Sequence, residues 1–306
     1  MIAAEAPATI ANMGPGFDTL GFALAEPRVR VTLTRGDEKK RRVRITVDQS
    51  LPTDPAKNTA GAALLALMSQ HKIDDDIEMD IHAGIPIGSG LGSSAASAVA
   101  TVIAANALFD LGLTAQQLLP FAVSGEGATS GSAHADNVAP ALLGGITLVR
   151  SHEPLDVLQI PIPHDLCYVV VHPACVVETA AARRALPKNI ALQDAVRQWA
   201  QVGALVAALH QHDFSLLGRA MDDTLIEPIR GALIPGYTAV KHAALQAGAI
   251  GCAIAGSGPS MFAFVASQQS AQQVGQAMQR AFADAGMQST LWSGAISARG
   301  AHVVSP

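Results

Sequence analysis

Between Pro86 and Ala100 the chain reads PIGSGLGSSAASAVA. Gly88, Gly90 and Gly92 alternate with Ile87, Ser89 and Leu91, and Ser93 and Ser94 follow directly. Ala95 and Ala96 then lead into a helical pattern with Val99, Val102 and Ile103 on one side. A glycine turn that opens a helix gathers free backbone N–H groups at one point, and the missing Cβ atoms let an anion approach closely. The positive end of the helix favours that anion further, and the two serines add hydroxyl donors. This is the chemistry of a polyphosphate cradle. A Walker-type loop would carry Lys after its last glycine, and a dinucleotide turn would space its glycines G-x-G-x-x-G, so neither applies. The plainer alternative is a flexible turn capped by serine.

The flanking segments must position that cradle. A short apolar strand opens the chain and runs into a glycine-bearing turn, Asn12 to Asp18. Val29, Val31 and Leu33 alternate with polar residues, as do Val43, Ile45 and Val47, which predicts two strands joined as a hairpin by the charged segment between them. A proline-bearing connection, LPTDPAKN, precedes a helix expected over 59–70. Ile77, Met79 and Ile81 alternate into a strand aimed at the glycines. A short helix, a Gly/Ser-rich stretch and a strand near 145–149 follow. The Pro-bearing stretch 155–164 reads as a domain crossing, which sets domains at 1–157 and 158–306. The second half alternates helices (190–212, 214–224, 236–247, 268–285) with strands (166–171, 249–255, 261–266, 289–297). That order fits an α+β fold with an antiparallel sheet.

Composition narrows the function classes. The 306 residues are 49% hydrophobic and 15% charged, enough for a sizeable core and too apolar for long disorder. The formal net charge is -5, and the densest basic run, Lys39 to Arg44, is balanced by Asp37 and Glu38. It reads as a solvated hairpin edge, with an anion contact as the alternative, and no nucleic-acid partner is expected. Cys167, Cys175 and Cys252 lack CxxC spacing, so neither disulfide staples nor a thiolate metal site is indicated. The N-terminus has no basic n-region, and the alanine-rich stretches are broken by polar residues. The expectation is a cytoplasmic chain with no membrane association.

PIGSGLGSSAAS resembles the ATP-binding motif of the GHMP kinases, the group that includes galactokinase, homoserine kinase, mevalonate kinase and phosphomevalonate kinase. APATIANMGPGFDTLG resembles the first motif of that family, and AGSGPSMFAF, ending at Phe264, the third. Four further segments, PTDPAKN, SGSAHADNVAPALLGG, TAAARRALP and IEPIRGALIPG, are similar to the homoserine-phosphorylating branch. The resemblance implies an N-terminal domain like the second domain of ribosomal protein S5 and a ferredoxin-like C-terminal domain, with the active site between them. It implies ATP and Mg²⁺ as cofactors, and L-homoserine as the acceptor in a step toward threonine.

On that resemblance, residues Pro86 to Ala96 wrap the ATP phosphates. Gly258, in the third motif, which returns glycines to the active site, is a further candidate to contact ATP. Asn58 either lies near the adenine or caps the helix that follows it. Glu126, in SGEGATSG, matches the family's metal-binding glutamate, with Ser94 sharing the ion or a phosphate oxygen. Its plain alternative is a solvent-facing helix residue. Homoserine is a zwitterion. Arg183 and Arg230 are candidates for its carboxylate, because a guanidinium fork matches two oxygens. Asp18, helped by Asn12 and Asn137, is the candidate for its ammonium. His134 is placed to donate to the hydroxyl or line the pocket, against a packing role. Asn137 stands where several relatives carry a proton-accepting aspartate, with Asp136 beside it. An amide accepts no proton, so transfer is expected to proceed without a dedicated base. Two alternatives stay open: another GHMP kinase such as one acting on mevalonate, and a ligand-binding regulator without turnover. A homodimer is entertained as the assembly.

Overall fold

The computed structural model describes residues 1–36, 38–48, 51–130 and 135–305. Its first module holds β1 (Ile2–Ala11), β2 (Leu20–Arg35), β3 (Val43–Val47), α1 (Thr59–Gln70), β4 (Ile77–Ala83), α2 (Ser93–Leu108), α3 (Ala115–Ser130), α4 (Ala135–Leu143), β5 (Ile146–His152) and β6 (Leu155–Ile160). The second holds β7 (Cys167–Pro173), α5 (Thr179–Arg184), α6 (Leu192–Gln211), α7 (Phe214–Ala220), α8 (Glu227–Gly231), α9 (Tyr237–Gln246), β8 (Gly251–Ile254), β9 (Met261–Val265), α10 (Gln268–Asp284) and β10 (Ser289–Ala295). A last strand, β11 (His302–Val304), returns to the first sheet and pairs antiparallel with β1.

The first sheet runs β11-β1-β2-β4-β3, with β5 on β2 and β6 on β5. The second runs β10-β7-β9-β8 and is antiparallel throughout. Residues 157 and 158 both fall inside β6, which pairs with β5 along its length. The stretch read as a domain crossing is therefore partly strand. The hairpin expected between β2 and β3 does not form: β4 inserts between them, antiparallel to β2 and parallel to β3. The connecting segment folds onto Asp76, whose carboxylate accepts the backbone N–H groups of Lys40 and Arg42 and the Arg42 guanidinium. A buried carboxylate with that many donors captures the basic loop, and the alternating pattern carried no record of it.

The alanine richness finds its use in α2. Ala95, Ala96, Ala98, Ala100, Ala104 and Ala105 are all fully buried, so the helix threads the core, and its buried hydroxyls, Ser97 and Thr101, donate to the carbonyls of Ser93 and Ser97. Small side chains let the sheet and its neighbouring helices come close to it. The modules join through aromatics. Phe22 of β2 meets Phe264 at 5.2 Å, Phe262 at 5.6 Å and Tyr168 at 6.1 Å between ring centroids. The Tyr168 hydroxyl accepts the Ala25 N–H at 3.0 Å, so its polar end is satisfied where its ring is buried.

Candidate active site

A cleft of about 280 Å³ opens between the modules. Its floor is the cradle. Gly92 caps α2 in a left-handed conformation (φ 67°), and no side chain caps the helix, so its first N–H groups remain available to a ligand. A Cβ on Gly92 would lie 2.2 Å from Thr9 Oγ1 and 2.8 Å from Asn137 Oδ1, so this position admits only glycine. Ile87, Gly88, Ser89, Gly90, Leu91, Gly92, Ser93, Ser94 and Ala95 all line the cleft, whereas Pro86, Ala96 and Gly258 are not on its wall. The loop is braced from the second module: Ser260 N–H donates to the Ser89 carbonyl, and Gly256 N–H to the Ala11 carbonyl. The serines divide. Ser93 Oγ turns away to the Ile85 carbonyl at 3.4 Å, and Ser94 Oγ faces Glu126.

Glu126 lies in α3, not in a Gly/Ser-rich turn. Gly125 is helical, and a Cβ there would come within 2.6 Å of the Thr59 carbonyl and 2.7 Å of Ala63 Cβ. The glycine thus serves close packing of α3 on α1, and this brings Glu126 to the start of both α1 and α2. Ser94 Oγ donates to Glu126 Oε2 at 2.7 Å. Having spent its proton there, it accepts from Thr59 Oγ1, also at 2.7 Å. Thr59 was not singled out from sequence, because a threonine opening a helix carries no distinguishing signal. These donors are all hard oxygens and suit Mg²⁺, which is held by one or two side chains together with phosphates and water. Among the described residues no cluster of three or more His, Cys, Asp or Glu forms an all-protein cage.

Asn58 is spoken for at both ends. Its Oδ1 accepts from Ala60 and Gly61 N–H, capping α1, and its Nδ2 donates to the Pro52 carbonyl at 2.8 Å. Of the two readings of this residue, the cap is the one its side chain performs, although it also borders the cleft with Lys57.

The opposite wall comes from the turn after β1 and from α4, α5 and α8. Asn12 (φ 72°) and Asp18 (φ 57°) are left-handed, and Asn12 Oδ1 accepts the Asp18 N–H at 3.1 Å. Asn12 Nδ2 donates to the Gly256 carbonyl at 2.9 Å, the same oxygen that accepts Arg230 Nη1 at 2.8 Å. Arg183 of α5 forks onto Asp18. The Phe17 ring lies between the two arginines, 5.3 Å from the Arg183 guanidinium and 5.1 Å from that of Arg230. Burial lowers the Arg230 pKa from its usual value, and Asp18 opposes that shift. Asn137 Oδ1 accepts the Thr9 hydroxyl at 2.8 Å, which leaves its NH₂ as the polar group available to a ligand. Asp136 and Asn137 both line the cleft. His134 lies outside the described residues. Thr179 and Ser257, hydrogen-bonded to each other at 3.2 Å, also reach the cleft and were not anticipated.

An uncapped helix start on a glycine turn, set in a cleft between an S5-like and a ferredoxin-like module, defines the GHMP kinase class. Residues 58–145 match the family of GHMP kinases N terminal domain, and residues 205–284 match GHMP kinases C terminal. The chain is 46% identical to the homoserine kinase of Chlorobaculum tepidum, covering 98% of this chain and 97% of that protein. It is similar to the crystal structure of homoserine kinase from Cytophaga hutchinsonii, with a TM-score of 0.96, 48% identity, and coverage of 99% of this chain and 97% of that one. A mevalonate kinase from L. major in complex with R-mevalonate shares the fold, with a TM-score of 0.73 at 18% identity and coverage of 96% of each chain. The chain belongs to the homoserine kinase family of the GHMP kinases.

Proposed function

We propose that this chain transfers the terminal phosphoryl group of MgATP to the side-chain hydroxyl of L-homoserine, giving O-phospho-L-homoserine and ADP. The observation that carries the reading is one cleft in which the uncapped start of α2 faces two arginines and an aspartate, a set of charges that suits a zwitterionic acceptor. The 46% and 48% identity to homoserine kinases supports the same acceptor.

Gly88 to Ala95 hold the phosphates through backbone N–H groups. Glu126 and Ser94 would hold Mg²⁺, with Thr59 orienting the Ser94 hydroxyl, and that ion would supply neutralisation of charge on the phosphoryl group. Asp18 takes the substrate ammonium, with Asn12 fixing its backbone. Arg183 and Arg230 take the carboxylate, and the Asn137 amide donates near the reacting hydroxyl. Arg230 Nη1 is committed to Gly256, so Arg230 offers its free terminal nitrogen instead of a full fork. No side chain is assigned as base. Positioning and charge neutralisation carry a loose phosphoryl transfer.

We further propose two domains divided after β6, a few residues beyond the boundary expected at 157, with the last strand crossing back, and a homodimer as the assembly. Leu192, Val196 and Trp199 form an exposed apolar stripe on α6, which supports pairing of two copies; sedimentation velocity tests it. No helix among the described residues is long and apolar enough to cross a membrane. Three unpaired cysteines support a reducing, cytoplasmic setting.

A coupled assay with L-homoserine, mevalonate, galactose or no acceptor tests the function. ATP consumption is expected to be rapid with L-homoserine alone. Equal or faster turnover of mevalonate, which has no ammonium for Asp18, would end the assignment within the family.

A further inference from the structure

A second, small cavity touches Arg230. It measures about 10 Å³ and is walled by Gly14, Asp223, Glu227, Arg230 and Gly256, among others. That is room for one water molecule. Two of these residues each bury a polar atom that has no protein partner, Glu227 Oε1 and Arg230 Nε. Both side chains are almost wholly enclosed, at 3% and 4% exposure. They stand three apart on α8 and so share one side of the helix. Their remaining polar contacts are fixed: Glu227 Oε2 accepts Lys241 Nζ at 2.7 Å, the Tyr237 hydroxyl adds to the same carboxylate's hydrogen bonding, and Arg230 Nη1 donates to Gly256. The start of α8 is itself pinned, because Asp223 accepts the N–H groups of Leu225, Ile226 and Glu227.

The two orphaned atoms are chemically complementary but of fixed sense. A guanidinium Nε–H only donates, and a carboxylate oxygen only accepts. A single water does both. We propose that Glu227 is the positioning residue of Arg230, coupled to it through one buried water that accepts from Arg230 Nε and donates to Glu227 Oε1. The guanidinium is then fixed by the Gly256 carbonyl, by the water and by the face of Phe17. Only Nη2 remains for a ligand. Lys241 belongs to the same device: burial raises the Glu227 pKa, and the Lys241 ammonium and the Tyr237 hydroxyl oppose that rise. This inference rests on the reading of Arg230 as a contact to the substrate carboxylate.

Glu227→Met keeps the length of the side chain and removes both oxygens. It is expected to raise KM for L-homoserine about tenfold or more with KM for ATP little changed, and to lower the melting temperature because Lys241 loses its buried partner. The penalty should vanish when 3-aminopropan-1-ol, which lacks the carboxylate, is the acceptor. It should also add nothing in an Arg230→Ala background, because the two residues act as one unit. Glu227→Gln, which keeps an acceptor oxygen, should recover part of the loss. A folded Glu227→Met enzyme with unchanged KM for L-homoserine, or one equally impaired toward the amino alcohol, overturns the proposal. Should Glu227→Met fail to fold, a high-resolution crystal structure of the wild-type protein decides. An ordered water within hydrogen-bond distance of both atoms supports the coupling, and a dry cavity or direct Glu227–Arg230 contact defeats it. If Arg230→Ala leaves KM for L-homoserine unchanged, the reading of Arg230 fails, and the same crystal structure still decides the water-bridged coupling.

Discussion

Arg183 and Asp18 lie 165 residues apart and clasp each other, Nη1 to Oδ2 at 3.0 Å and Nη2 to Oδ1 at 2.7 Å. One belongs to α5 and the other to the turn after β1, so the pair ties the two modules across the mouth of the cleft. A zwitterionic substrate matches both partners with opposite ends. On the proposed function, its ammonium replaces the guanidinium beside Asp18, and its carboxylate replaces Asp18 beside Arg183. Each side chain is 36% exposed, so the pair itself contributes about 0–1 kcal/mol to stability.

Arg183→Ala and Asp18→Ala are therefore expected to cost function far more than stability. Either change should raise KM for L-homoserine by roughly 10-fold or more, the loss of a charge-assisted hydrogen bond worth about 1.5–3 kcal/mol. Thermal melts should move by only a few degrees. Steady-state kinetics with an acceptor lacking the carboxylate should show the Arg183 penalty shrinking and the Asp18 penalty persisting. An Arg183 penalty equal for both acceptors would assign that residue to phosphate contact.

Glu126→Ala removes the carboxylate that accepts the Ser94 hydroxyl. kcat should fall by about 10²-fold or more, as when a charge-stabilising donor is removed from a transition state. L-homoserine binding, measured by calorimetry, should persist. Thr59→Ala should act in the same direction but more weakly, visible as a raised Mg²⁺ requirement. Wild-type turnover of Glu126→Ala at limiting Mg²⁺ would remove the metal role.

Gly92→Ala places a methyl group against Thr9 Oγ1 in a left-handed backbone. ATP affinity is expected to fall by more than about tenfold, since both strain and displacement act at the cradle. Gly203 offers the contrast: it is helical, exposed, and has nothing within 4 Å of an added Cβ. Gly203→Ala should stabilise the fold by about 0.5–1 kcal/mol in denaturant titrations and leave KM for ATP alone.

Asp76 carries a pH signature. Hydrogen bonds from the Arg42 backbone and guanidinium and from Lys40 N–H hold its pKa below the usual carboxylate value. A depressed folded-state pKa gives stability that is full above the ordinary value near about 4 and disappears as pH falls through the lowered one. Asp76→Asn should thus be clearly less stable than wild type at neutral pH. The two urea midpoints should converge in acid. A gap that is constant with pH would mean that packing, and not charge, holds the loop.

Asp136→Asn should keep most of kcat, and kcat at saturating MgATP should show no acidic limb from an enzyme carboxylate. The comparison is made where chemistry limits turnover. Both Asp136 and Asn137 border the cleft, so the pH profile, not position, separates them. An acidic limb that vanishes in Asp136→Asn, with a drop of about 10²-fold or more, would make Asp136 the base.

Local signals were legible where chemistry and periodicity coincide. The run after Asn58 and the alternation at Ile77, Met79 and Ile81 become α1 and β4, and the glycine trio becomes the helix start. Pairing was not legible, because alternation states which face of a strand is buried and says nothing about its neighbour. That is why β3 sits beside β4 and not β2. Gly125 misled for a related reason: glycine marks turns and close helix contacts alike, and only the tertiary approach of α1 distinguishes them. Nor did sequence show that Asn58 has both ends occupied, or that Asp18 and Arg183 find each other first.

The pairing of Ala3 with Val304 gives the molecule a mechanical property. The chain leaves the first sheet after β6 and comes back to it at β11, so the second module is an insert moored by two cables and not a pendant on one. A pendant swivels about any axis through its tether, whereas an insert on two moorings keeps one easy axis, the line between them. Any bend between the modules must therefore pass through both crossings, and the Phe22–Phe264 packing, the Tyr168–Ala25 hydrogen bond and the Asp18–Arg183 clasp all lie in the seam it would strain.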